Sequence, residues 1–357
     1  MELMRANREW STRPADERFT SLKDLHANAL AARANARQTS RKIGEVTVIA
    51  NGDDVELRGN ATGRVAKPTY HAFGQLAAIA KAPASYLRTL PAPLAADCLN
   101  NGLAPRAKDD AQFLFDAGGD TIKLRAATSD SYSRIFDCDI TSRLVEIENM
   151  GRFQPAPAAF DGSRGLYRGD ASMFAFLVDN NRRIFERAPG GGFSRGVFFW
   201  NSEVGKASFG MMTFLYQFVC GNHIVWEASN VREIRLRHVG DVNDRAFRTF
   251  AVQMLAYADG SATEDDAKLE KAWNYEIGKS KEEILDKLFG LRIPVLTKSV
   301  IQQAMLIAET SPDMYGPNPR TSFSIASGIT QIARDLPNAD DRNALDRAGA
   351  KVMALAF

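Results

Sequence analysis

The stretch from Phe160 to Trp226 limits the possible folds more than any other part of this chain. It holds ten of the 21 Phe and two of the four Trp, interleaved with arginines. At its centre lies FFWNSEVGKASFGMMTFLYQFVCGNHIVW (198–226), in which runs of strand-forming residues break at two polar, glycine-bearing turns, NSEVG and CGNH. Aromatic and β-branched runs bounded by such turns read as an antiparallel sheet. A sheet core accounts for the aromatics. It does not account for Asn201, Ser202, Glu203, Asn222 and His223 sitting between the strands, and loops held by a rigid sheet are where binding residues concentrate.

Around this block the local signals alternate. EVTVIANGDDVELRG (45–59) alternates apolar and polar residues on both sides of Asn51-Gly52, a hairpin signal. In TYHAFGQLAAIAKAPASYLRTL (69–90), Thr69 is an N-cap, Phe73, Leu76 and Ile79 recur at helical spacing, and Pro83 interrupts before a second short helix. A third helix is expected from Leu94 to Leu99. The period returns to two in QFLFDAGGDTIKLRAATS, a hairpin about Gly118-Gly119, and a helix follows near Ile140 to Glu148. Strands are expected at 171–179 and 197–200, while 209–220 fits strand and helix equally. The last third is helical, with an amphipathic face on Phe247, Phe250, Ala251 and Met254, a capping box at Ser280/Glu283 and a cap at Thr297.

These elements define an α+β fold, a central antiparallel sheet flanked by helical N- and C-terminal segments. Three parts are expected: a basic arm over 1–43, mobile or helical; an α+β core over 44–240; and a helical region over 241–357 packed on that core. The arm carries nine Lys/Arg against five Asp/Glu, and residues 161–238 carry ten against seven. That imbalance permits a polyanion partner.

Several chemistries lack their motifs. Cys98, Cys138 and Cys220 are far apart and read as reduced thiols of a cytoplasmic protein, with no disulfide framework. No signal-peptide core and no stretch of about 20 apolar residues is present, so no membrane association is expected. Cys220 and His223 form a lone CxxH pair, short of the ligand count of a zinc site, and we expect no metal and no cofactor. Neither a GxSxG elbow nor a phosphate loop occurs. The pairs Asp137/Asp139 and Glu146/Glu148 read as solvated helix or turn faces.

Single-strand nucleic-acid binding fits best, because it combines a positive groove with aromatic stacking platforms. Lys123, Arg125, Arg134, Lys206, Arg235 and Arg237 would hold phosphates. Tyr132, Trp200 and Trp226 would offer stacking surfaces, and Asn201, Ser202, Asn222 and His223 would shape the loops or bond a base. No catalytic residue is assigned. Two other readings stay open: a nucleotide- or nucleic-acid-processing enzyme using Glu203 or His223 as acid–base groups, and a protein-interaction module that modulates a host factor.

Several segments together resemble a family of unknown function found on bacteriophages and plasmids: RAATSDSYSRIFDCDI, WNSEVGKASF followed by VCGNHIVW, and SGITQIARDL with DDRNALDRAGAKVMA. HAFGQLAAIAKAPASYLRTLP is similar as well, so the resemblance spans roughly residues 65 to 355. It implies a mobile-element setting among replication, recombination or defence genes, and no established activity. Ring-forming phage annealing proteins offer a more distant analogy. The expected protein is thus an accessory single-stranded-DNA binder, acting as an oligomer in recombination or annealing.

Overall fold

The computed structural model describes residues 15–155, 165–188, 192–217, 223–224, 234–236, 238, 252, 256, 262–335 and 339–357. Over these the fold is α+β, built on two sheets. Sheet A is antiparallel throughout and follows the order β1 (Arg18–Phe19), β9 (Leu166–Arg168), β10 (Met173–Ile184), β11 (Phe193–Asn201), β12 (Phe209–Gln217) and β13 (His223–Ile224). β8 (Gln154–Pro155) adds to β10, and β14 (Ile234–Leu236) to β12. Sheet B runs β2 (Ala36–Lys42), β6 (Asp110–Asp116), β7 (Lys123–Ser129), β5 (Val65–Pro68), β4 (Asp54–Gly59) and β3 (Val46–Asn51), with β5 and β7 parallel.

The aromatic block forms the centre of sheet A, and period-two alternation divides its side chains between the two faces. Leu166, Met173, Ala175, Leu177, Val197, Phe199, Phe209 and Met211 pack under α1 (Leu22–Asn35) and α5 (Asp137–Asn149), against Leu22, Leu25, Ile140 and Leu144. Tyr167, Phe174, Phe176, Phe198 and Trp200 form a continuous aromatic stack, with ring centroids 4.9 Å apart for Tyr167–Phe174, 4.5 Å for Phe176–Phe198 and 5.3 Å for Phe198–Trp200. Gly210 is the cross-strand partner of Trp200, and a Cβ there would collide with the indole ring. Glycine is what lets that ring lie flat on the sheet.

Sheet B rests on α2 (Tyr70–Ile79) and α4 (Ala92–Leu103), whose Phe73, Leu76, Ala77, Leu99 and Leu103 cover Val48, Leu57, Phe113 and Leu124. The short α3 (Ala84–Leu87) joins them after Pro83. Asn100 on α4 pairs its side-chain amide with both backbone groups of Val48, at 2.9 and 2.7 Å. That blunts the edge strand β3. The β3–β4 hairpin closes through Gly52-Asp53, since Asn51 still pairs with Asp54, and Gly52 takes the positive φ of +59° that the turn needs.

The C-terminal helices α6 (Ala262–Asn274), α7 (Lys281–Gly290), α8 (Lys298–Thr310), α9 (Pro312–Tyr315), α10 (Ser322–Asp335) and α11 (Ala339–Met353) form a third core. They pack onto one end of sheet A at Ile184, Phe193 and Leu215. Among the described residues no helix is long and apolar enough to cross a membrane. Caps at Thr69, Ser280 and Thr297 form as expected, their hydroxyls accepting from the amides of Ala72, Glu283 and Val300. Glu283 closes its box one residue early, on the Lys279 amide at 2.8 Å.

The structure decides two readings that local pattern leaves open. Residues 209–217 are a strand: they pair with β11 over the length of the hairpin, and that nonlocal ladder decides an ambiguous apolar run. The N-terminal arm is structure over 15–42. Leu22, Leu25 and Ala29 are fully buried in the sheet A core, and β2 pairs with β6 along its whole length. The expected helix face on Phe247, Phe250, Ala251 and Met254 lies outside the described residues.

Candidate functional site at the NSEVG turn

The turn from Asn201 to Gly205 joins β11 to β12 and is where the two sheets meet. Val204 packs on Ala36, Leu114 and Ala126, on the outer face of sheet B. Its carbonyl accepts from Gln75 Nε2 at 2.7 Å and His71 Nε2 at 3.1 Å, both from α2. Ser202 Oγ donates to the Ala171 carbonyl at 2.7 Å, and the Ser202 carbonyl accepts from the Tyr132 hydroxyl at 2.9 Å. Gly205, with φ +82°, makes the left-handed step that returns the chain to β12.

Glu203 is the centre of the arrangement. Its carboxylate accepts from Arg125 Nη1 at 2.8 Å, Arg168 Nη2 at 3.4 Å and the Asp137 backbone amide at 2.9 Å. The last contact caps α5. That helix begins after Phe136, which has no side-chain acceptor, so the carboxylate of a distant turn serves the buried N-terminal amide, which has no partner within the helix. A β-bulge aims Arg125 at this point: the register passes from Leu114↔Ala126 to Phe115↔Leu124, leaving Arg125 as the extra residue. Arg168 forks between the two acids, giving Nε to Asp137 Oδ2 at 3.0 Å, and bonds Asn28 of α1 at 3.0 Å. Asn201 Nδ2 donates to Asp137 Oδ1 at 2.8 Å and to the Ile135 carbonyl at 3.0 Å. Arg134 donates to the Glu203 carbonyl and, at 3.2 Å, to Gln38 on β2.

The cluster holds three guanidinium groups against two carboxylates, all buried. Burial and the neighbouring Glu203 charge push Asp137 up to about 7, against the pull of Arg168. Burial also opposes the Glu203 charge, but Arg125 and Arg168 outweigh it and hold that carboxyl below the ordinary glutamate range. Burial lowers Arg134 to about 10 and His238, stacked 5.0 Å from Tyr132, to about 4. His71 is lowered by burial, with Lys206 acting in the same sense.

This geometry sorts the residues expected to bind nucleic acid. Arg125, Arg134, Asn201 and Ser202 do come together, but inside the protein and on protein partners, where phosphates do not reach. Trp200 is fully buried in the aromatic stack and presents no face to a base. Tyr132 is half-buried, its hydroxyl committed to Ser202. Lys123 and Lys206 are exposed. His223 and Arg235 lie in β13 and β14, with side chains outside the described residues, as are Asn222, Trp226 and Arg237 altogether. Asp137, expected on a solvated face, is instead buried and held by Arg168 and Asn201, and sequence reasoning gave Arg168, His71 and Gln75 no role here. The one available signal was an acidic helix start without a capping side chain, which asks for an acceptor from elsewhere.

Among the described residues no group of three or more His, Cys, Asp or Glu is placed to hold a metal. The site defines an α+β protein in which an ion-paired clasp joins two sheets. No family model matches the chain, and no curated protein or solved structure matches it either.

Proposed function

We propose that this chain binds single-stranded DNA without catalysis, through a surface beside the clasp centred on Tyr70 and Arg88. The observation that carries the reading is the exposure of Tyr70. Its side chain is 78% exposed, with the Arg88 guanidinium 3.7 Å from the ring centroid. Arg88 is held in place by its bond to the Tyr70 carbonyl at 2.8 Å and by the Phe73 ring 4.9 Å away. A preset cation over one face of an exposed ring leaves the other face for a base, the combination that single-strand binders use. Tyr86, 58% exposed, lies two residues before Arg88. Lys67 and Lys123 are cross-strand partners on the strands leading into this surface, and Lys206 acts on His71, the neighbour of Tyr70.

Glu203 supports the binding reading over an acid–base one, because its carboxylate is 3% exposed and fully engaged by donors. The test is fluorescence anisotropy with a labelled oligothymidylate. Affinity should fall with salt by a log–log slope of about −0.7 per phosphate neutralised. Tyr70→Ala should cost about 1–3 kcal/mol of binding. No detectable binding at low salt would end the proposal, and unchanged affinity in both Tyr70→Ala and Arg88→Ala would remove this surface from it.

A further inference from the structure

A cavity of about 540 Å³ opens in the C-terminal region, between the start of α7, the end of α8 and the loop ahead of α10. Its floor is apolar, made by the buried Ile284 and Met305. Its loop wall is pinned from several sides. Ser324 Oγ donates to the carbonyls of Tyr315 at 2.6 Å and Asn318 at 2.9 Å. The Ile277 amide donates to the Arg320 carbonyl at 3.0 Å. Gly316, at φ +100°, passes so close to Trp273 that a side chain would not fit. Two prolines, Pro317 and Pro319, stiffen the rest of the wall.

The rim is cationic. Among the lining residues Lys279, Lys281 and Arg320 outnumber the one acid, Glu309, while Glu276 and Glu283 stand beside Arg320 and Lys279 outside the lining. Lys281 reaches Glu309 at 2.8 Å and so spans the mouth from α7 to α8. Arg320 is fixed by the Lys279 carbonyl at 3.0 Å and Glu276 at 3.5 Å. Ligand pockets occupy about 300–1,000 Å³ and combine an apolar lining with a few placed polar groups. A wall already held in place also lowers the ordering cost of binding.

We propose that this cavity binds a small organic anion with an apolar body, its ring or chain resting on Ile284 and Met305 and its acid group at the Lys279 side of the rim. The site is separate from the DNA surface and does not depend on that reading. The test is a fluorescence titration of the full chain with anilinonaphthalene sulfonate, an anion of this class, in the absence of nucleic acid. A saturable, one-site, blue-shifted signal is expected, with energy transfer from Trp273 behind the wall. Lys279→Glu should weaken the probe by about tenfold through like-charge repulsion. Met305→Trp, which fills the floor, should abolish the signal while leaving the melting temperature in place. Absence of a saturable signal overturns the proposal, as does unchanged affinity in both variants. If Met305→Trp lowers the melting temperature, the exposed Lys279→Glu decides alone, and unchanged affinity there is sufficient to reject the site.

Discussion

A carboxylate taken out of water needs donors around both oxygens, and Glu203 finds them in Arg125, Arg168 and the Asp137 amide. Removing its charge takes the carboxylate partner from Arg125 and leaves Arg168 with Asp137 alone, and breaking a buried ion pair typically costs about 3–5 kcal/mol. Asp137 differs, because its own charge is opposed by burial and by Glu203. Glu203→Gln should therefore destabilise the fold more than Asp137→Asn when both are measured by urea unfolding, and the reverse order would contradict the assignment of Glu203 as the centre of the clasp. NSEVG stood out in the sequence because polar residues between aromatic strands lack an obvious structural purpose. Their purpose is structural after all. Their hydrogen-bond partners in the clasp lie 31 to 133 positions away in sequence, on β7, β9, α2, α5 and the loops beside them, and no local pattern announces them.

At the scale of elements, α1 and β2 show what a composition argument misses. The buried face of α1 is Leu22, Leu25 and Ala29, too little apolar bulk for a clear stripe, yet sheet A covers it completely. β2 reads ARQTSRK, with no apolar alternation, because it is an edge strand whose side chains are mostly exposed. Leu25→Ala should cost about 2–5 kcal/mol, the usual range for a core leucine. A change near zero in thermal or urea unfolding would instead favour the mobile arm. Elements with strong local chemistry were legible: the Thr69, Ser280 and Thr297 caps, the β3–β4 hairpin with its turn one residue on at Gly52-Asp53, and the break at Pro83.

At the scale of the whole molecule, the clasp links sheet A to sheet B through groups that titrate. Asp137 has its folded pKa raised to about 7 from 3.8, so the folded state holds a proton that the unfolded state has lost. Its contribution to stability therefore falls as pH rises toward and through 7. His238, lowered to about 4, and His71, also lowered, work in the opposite sense below about 6.5, where the unfolded chain takes up protons first. That offset does not end at 6.5, where an unfolded histidine is still about half-protonated. The Asp137 contribution is therefore read as a difference: the stability of wild type relative to Asp137→Asn should fall as pH rises from about 4 through about 7, by at most about 1.4 kcal/mol per pH unit. A difference that stays flat or rises across this window would refute the assignment. The sequence by itself determined the α+β class, the first two long strands of the aromatic block and the capped helices, because alternation, turn chemistry and capping act within a few residues. Only the tertiary structure decided that there are two sheets, that β2 belongs to one of them, and that Arg125, Arg134 and Trp200 face inward. Strand partners and burial depend on contacts between distant segments, and a charged or aromatic side chain has the same letter whether it meets solvent or a buried acid.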